Sequence, residues 1–183
     1  LFGKSDYREI IKTLIRNFLI ALLIAIIIIL FKPLIESLTK SFFSTSGETQ
    51  DLINTYLSVR VLSVPAELVI YILIGFYLGI QKTTISSLLI ITLSALNIIL
   101  STFFVLSLNL DIFGVALGTL IASYITLILF LVYTYQFIVK KFQIIPKFEN
   151  LFVPSKLLRL FKINFDIFIR TLFLTFSFLW ITY

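Results

Sequence analysis

The stretch "TTISSLLIITLSALNIILSTFFVLSLNLDIFGVALGTLIASYITLILFLVYTYQFIV", residues 83–139, holds a single charged residue, Asp111. Everything else in it is apolar, aromatic, small or neutral polar. A hydrocarbon core about 30 Å thick is crossed by roughly 20 mostly apolar residues in a helix, and the run on each side of Asp111 is long enough to do so. Backbone groups surrounded by lipid must pair within a helix or a closed barrel, and these runs are too long and too unalternating for barrel strands. The stretch therefore predicts two membrane helices, 84–108 and 112–139, joined by a tight turn at Asp111.

The rest of the chain repeats the pattern. Hydrophobic residues make up 60% of it, charged residues 13%, and the mean hydropathy is +1.11, whereas a soluble domain carries about 25% charged residues. Three more spans are expected. The first covers 7–38, with its apolar centre at 18–31; the second covers 50–80, interrupted by Arg60, Pro65 and Glu67; the fifth starts at 164 and runs to 183. Between the first two, Thr45 followed by Glu48 fits a capping box and sets a helix start near Ser46. Residues 140–162 form the longest polar stretch, and 155–165 alternate Leu157, Leu158, Leu160 and Phe161 with Lys156, Arg159 and Lys162, as a helix lying at the headgroup level would. The expected fold is an all-α polytopic membrane protein. Its organisation is read as a first set of spans (1–139), an inter-lobe loop with an amphipathic segment (140–162) and the start of a second lobe (163–183). The opening without methionine reads as a loop, and the last span stops early, as expected of a piece of a larger protein.

Basic residues set the orientation. Eleven Lys and Arg, among them Lys4, Arg8, Lys12, Arg16, Lys82 and the group from Lys140 to Lys162, fall on one side, against Lys32, Lys40 and Arg60 on the other. The positive-inside bias places the first side, with residue 1 and the 140–162 loop, in the cytoplasm. The same distribution accounts for the +6 net charge without a nucleic-acid partner, whose footprint would be one basic patch and not scattered helix ends. Cysteine and histidine are absent, which removes disulfide chemistry, the usual zinc ligands and most nucleophile–base pairs. There is no Gly-rich phosphate loop with Lys and Ser or Thr. Neither a catalytic nor a metal site is expected, and the chain does not read as an enzyme.

Two polar stripes remain. On the second helix, Tyr56, Arg60, Ser63, Glu67 and Tyr71 are spaced to share one face. A carboxylate at the depth of Glu67 costs about 2.5–3.5 kcal/mol against lipid, so it faces a cavity, pairs with Arg60 two turns away, or holds a proton. On the third helix, Ser87, Ser94, Asn97 and Ser101 also share a face, read either as interhelical glue or as contacts to a cation or substrate. Gly75–Gly79 and Gly114–Gly118 have the spacing that lets helix backbones approach closely. Pro65 is expected to open the helix ladder near Val61.

In these segments the chain resembles the multidrug and toxic compound extrusion (MATE) family. "YLSVRVLSVPAELVIYILIGFYLGIQKTT" (56–84) is similar to the family's fourth helix, with a Tyr and an Arg ahead of a Pro and a glycine pair leading into a turn. "LNIILSTFFVLSLNLDIFGVALGTLIASY" (96–124) is similar to its fifth and sixth helices; Gly114, Ala116, Gly118, Thr119 and Ala122 are the most specific part. "INFDIFIRTL" (163–172) resembles the start of the second lobe in the DNA-damage-inducible, DinF-like branch, and "LFGKSDYREI" resembles the loop between helices two and three. The resemblance implies a partial MATE-type helical bundle, about five transmembrane helices of an expected twelve, with two lobes around a central cavity. It further implies a secondary active exporter of small organic, cationic or amphiphilic substrates, working by alternating access. Tyr56 and Asn97 match the family's coupling region; where many members carry an aspartate one turn after Asn97, this chain has Ser101, which leaves Na+ and H+ both open as the coupling ion. The transport and coupling candidates are therefore Tyr56, Arg60, Glu67, Asn97 and Ser101. A lipid-linked oligosaccharide flippase of the same superfamily and a non-transporting membrane scaffold are the rival readings. The partners expected are substrate, the lipid bilayer and the remaining helices of the same protein, with no further cofactor.

Overall fold

The computed structural model describes residues 7–43, 47–142 and 153–182, and every described element is helical. In order these are α1 (Tyr7–Leu30), α2 (Lys32–Phe43), α3 (Gly47–Arg60), a 3-10 turn (Val61–Ser63), α4 (Val64–Gly79), α5 (Thr83–Leu106), α6 (Asp111–Phe137) ending in a π turn (Ile138–Phe142), and α7 (Pro154–Thr182). Residues 1–146 form one compact unit and 147–183 a second.

Four helical stretches are long and apolar enough to cross a bilayer: Tyr7–Leu30, Thr49–Gly79, Thr83–Leu106 and Asp111–Phe142. They correspond to the first four expected spans, with two refinements. The first span was expected to be one helix over 7–38; it breaks at Phe31 into α1 and α2. Pro33 is the cause, because it has no N–H to donate to the carbonyl one turn back and sits where proline is tolerated, in the first turn of a helix. The second span is interrupted by the 3-10 turn at 61–63, where Pro65 was expected to open the ladder. The Thr45–Glu48 cap involves residues outside those described, although α3 does begin at Gly47.

The amphipathic stretch 155–165 and the apolar run from 164 were expected to be separate elements, with a boundary at 162/163. They are instead one continuous helix, the 29-residue α7. No proline or glycine lies between Pro154 and Thr182 to interrupt it. Within it, Arg170 and Asp166 form an i,i+4 ion pair at 3.0 Å.

In the first unit α5 and α6 pack along most of their length, joined by a turn in which Asn109 adopts φ 51°, a left-handed conformation that asparagine tolerates better than most residues. The turn between α4 and α5 has Gln81 at φ 61°, while Lys82 N–H reaches back to the Tyr77 carbonyl at 2.7 Å. We call the end of the bundle holding Tyr7, Gly79, Thr83 and Phe137 the near end. There Ile10, Ile11 and Leu14 of α1 pack with Phe76, Tyr77, Ile80 and Ile138. A second apolar cluster, Ile70, Leu73, Leu89 and Phe130, lies deeper between α4, α5 and α6. Leu88, Ile91, Ile98, Ile99 and Phe103 of α5 are exposed, which water would penalise and lipid does not. Arg16, counted above among the basic residues on one side, is 2% exposed and bonds Glu9 at 2.7 Å within α1. Its charge is neutralised inside the helix that carries it.

Candidate functional site

The break between α3 and α4 builds the site. With no N–H at Pro65, the Val61 carbonyl is taken up by the N–H of Val64 in a tighter turn. Ser63, fully buried, donates its hydroxyl to the Arg60 carbonyl at 2.7 Å and accepts a hydrogen bond from the Arg60 guanidinium. On the far side of the turn, Tyr124 of α6 donates to the Leu62 carbonyl at 3.1 Å. The irregular backbone is thereby kept satisfied inside the protein, the only place at membrane depth where it is tolerated.

Ser63 steers Arg60 along the helix axis toward Glu67. Both guanidinium nitrogens engage the carboxylate: Nη1 donates to Oε1, and Nη2 to Oε2 at 2.9 Å. This is the bidentate fork that arginine makes best. The two side chains are 31% and 15% exposed, so the pair is neither sealed in the core nor free in solvent. The pairing anticipated across two turns is real and better formed than a loose surface contact. Tyr56, one turn before Arg60, is half-buried and lies close enough to interact with the guanidinium, but it does not line the cavity described next.

That cavity, about 400 Å³, opens between α3–α4, α5 and α6. Its polar lining comes from Arg60, Glu67, Ser94, Asn97, Thr119 and Ser123; Ile70, Tyr71, Leu93 and Ile98 supply apolar wall. Such a size and mixture suit a small molecule. The two stripes read from the sequence thus meet across one space, except that Ser63 is spent on Arg60, and Ser87 and Ser101 lie outside the lining. Asn97 Nδ2 donates to Thr119 Oγ1 at 2.7 Å, and Thr119 donates to the Val115 carbonyl at 3.0 Å. Ser123 donates to the Thr119 carbonyl at 2.8 Å and approaches Glu67 Oε1 at 3.4 Å. Glu67 is the one carboxylate among the described lining residues.

Thr119, Ser123 and Tyr124 were not among the sequence candidates. Thr119 and Ser123 are four apart and share a face of α6, but they adjoin the Gly114–Gly118 spacing, which by itself signals only helix packing.

Ser101, a coupling candidate from the sequence, sits in the α5–α6 seam, with its hydroxyl 3.4 Å from the Val115 carbonyl. A Cβ added to Gly118 would fall 2.6 Å from the Ser101 backbone nitrogen and 2.7 Å from its Cα, and one added to Gly114 would fall 3.1 Å from Phe104. The close approach expected of Gly114 and Gly118 is therefore present. At Gly75 and Gly79 nothing among the described residues lies within 4 Å of an added Cβ. Their face looks away from the bundle.

Apolar spans of bilayer length, irregular backbone held inside the protein and a polar cavity with a neutralised charge pair define a multi-pass helical membrane protein built around an internal site. The profile of the MatE family matches residues 1–103, and the chain belongs to that family. It is 30% identical over 177 residues to the DNA damage-inducible protein F of Escherichia coli (strain K12), covering 97% of this chain and 38% of that protein. It is 29% identical over 177 residues to the multidrug export protein MepA of Staphylococcus saprophyticus, covering 94% and 38% respectively. To MepA of Staphylococcus haemolyticus it is 31% identical over 140 residues, covering 73% and 29%. The chain thus spans about two fifths of the length of the relatives it matches most fully. No solved structure matches it.

Proposed function

We propose that the protein to which this chain belongs is a secondary active exporter of small organic cations or amphiphiles, a transporter and not an enzyme. The observation that carries this reading is the cavity whose one lining carboxylate, Glu67, is held by Arg60. Paired, the two charges cancel and the empty cavity is tolerable at membrane depth, where an isolated charge is expensive. An entering cation competes with Arg60 for Glu67, while Asn97, Thr119 and Ser123 offer hydrogen bonds and Ile70, Tyr71 and Leu93 offer apolar contact. Na+ or H+ competing for the same oxygens would couple the export of one cation to the entry of another. Alternating access between two lobes, a location in the cell inner membrane and a cytoplasmic near end complete the reading. The last follows from the bias of Lys and Arg toward that end.

A flippase for lipid-linked oligosaccharides needs unpaired cations facing its cavity to hold pyrophosphate. Arg60 is the one basic residue in the described lining, and it is committed to Glu67, which favours the exporter. The names of the MepA relatives point the same way. The test is efflux of a fluorescent lipophilic cation by the full-length protein in proteoliposomes, with and without Glu67→Gln. We expect a loss of at least tenfold in coupled efflux with protein yield retained. Undiminished efflux by Glu67→Gln would reject the role given to this carboxylate, and absence of efflux by the wild-type protein would leave the scaffold reading.

A further inference from the structure

The hydroxyls of α6 do not all behave alike. Thr119, Ser123 and Thr134 each donate to the carbonyl four residues back, at 3.0, 2.8 and 2.6 Å. This back-bonding is the usual way a helical threonine or serine satisfies itself in an apolar setting. Thr126, fully buried, does not: its Oγ1 has no hydrogen-bond partner. A valine has the same shape and would avoid the cost of an unpaired buried hydroxyl, so the hydroxyl calls for an explanation. Its position suggests one. Thr126 lies one turn from Ser123, which lines the cavity, and two turns from Thr134, whose hydroxyl is hydrogen-bonded to Tyr77 at 2.8 Å toward the near end. The apolar cluster of Ile70, Leu73, Leu89 and Phe130 separates these two polar groups.

We propose that the α4–α6 seam is a hydration path joining the cavity to the near end, and that Thr126 is the binding site for the water molecule at its narrowest point. Ser123, Thr126 and the Thr134–Tyr77 pair are its successive polar stations. The path is dry while the apolar cluster is packed, and it fills when that cluster loosens. Its use, to bring water or a hydrated coupling ion to Glu67, rests on the transport reading above; its existence does not.

The chain has no native cysteine, which suits a labelling test in the full-length protein freed of any cysteine elsewhere. Thr126→Cys and Ala25→Cys, the latter on α1 and away from the α4–α6 seam, are compared in membrane vesicles with a small, water-borne methanethiosulfonate reagent. Both positions are fully buried, but only the first lies on the path. We expect Thr126→Cys to react at least tenfold faster; equal rates would overturn the proposal. Because labelling needs no transport, a protein that exports nothing can still give the expected result. Should Thr126→Cys not fold, Thr126→Val and Thr126→Ser decide the matter by substrate binding and efflux. The path predicts that valine leaves binding unchanged and slows efflux at least fivefold, with serine restoring it. Wild-type efflux by the valine variant, with a higher melting temperature, would mark Thr126 as a stranded hydroxyl and nothing more.

Discussion

The substitution Gly118→Ala tests the α5–α6 seam most directly, because its effect can be worked out from three distances. The new Cβ would lie 2.6 Å from the Ser101 nitrogen and 2.7 Å from its Cα, about 0.8 Å inside the 3.4 Å at which ordinary contact begins. The third opposing atom is the Ser101 hydroxyl, which can rotate away, but these two are backbone, so no rotamer change relieves the clash in full and the two helices must separate. Overpacking of this kind costs about 1–3 kcal/mol. Gly114→Ala provides the graded comparison, since its Cβ meets Phe104 at 3.1 Å and needs a shift of only a few tenths of an ångström. Both substitutions gain the same roughly 1 kcal/mol of helix propensity, which cancels between them. The separation also reaches the cavity: adding about 0.8 Å to the 2.7 Å bond between Asn97 and Thr119 brings it to the outer limit of a hydrogen bond. Thermal stability of the detergent-solubilised full-length protein, read by size-exclusion chromatography after heating, should rank wild type first, then Gly114→Ala, with Gly118→Ala clearly last. Ligand affinity should follow the same order. A Gly118→Ala protein as stable as Gly114→Ala would show that the seam is not packed as described.

Three further outcomes follow from the site. Tyr124→Phe removes the donor to the Leu62 carbonyl and should cost about 0.5–1.5 kcal/mol, seen as a lower melting temperature; no change would mean that the 3-10 turn does not depend on α6. A double-mutant cycle with Arg60→Ala and Glu67→Ala should give a coupling energy on the order of 1–3 kcal/mol, between the values for exposed and buried pairs, and a value near zero in chemical denaturation would dismiss the bidentate pair. Ser101→Asp, the change that brings the sequence toward other family members, should lower stability before it alters ion dependence, because Ser101 abuts Gly118; a stable variant with altered Na+ or H+ dependence would return Ser101 to the coupling machinery.

The spans were legible because lipid imposes one rule along the whole chain: long uncharged runs must be helices. The convergence of Arg60, Glu67, Ser94 and Asn97 on one cavity was legible in part, because each stripe obeys the helical period and a polar stripe in a membrane needs a polar neighbour. What could not be read was the neighbour. Which face of α6 meets α4 and which meets α5 depends on packing, and it is packing that puts Thr119 and Ser123 on the cavity and Gly114 and Gly118 in the seam. Gly75 and Gly79 have the same spacing as Gly114 and Gly118 and face open space, so the motif alone did not distinguish them. Arg16 shows the same limit for charges. Counting it among the basic residues on one side gave no hint that it is buried against Glu9.

The placement of Arg60 and Glu67 on one continuous span bears on how the cavity could work. Residues seven apart are separated by about 10 Å along a helix axis, a gap that the long arginine side chain closes when it lies along the helix, and Ser63 holds it in that direction. The pair is thus made within one span and needs no other helix to neutralise it. A charge pair formed between two helices would tie them together and oppose their relative movement. A pair formed within one span, here across the 3-10 turn between α3 and α4, leaves the neighbouring spans free while keeping the unloaded cavity neutral at membrane depth, where each uncompensated charge costs about 2.5–3.5 kcal/mol. The contacts that α6 makes to this unit are of a different kind, a 3.1 Å bond from Tyr124 to a backbone carbonyl and a 3.4 Å approach of Ser123 to the carboxylate. Neutral and individually weak, they can be exchanged for water or ligand at small cost. The strong interaction fixes the carboxylate, and the weak ones join it to the helices around it; that division is what the alternating access proposed above requires of a site opening to two sides of a membrane.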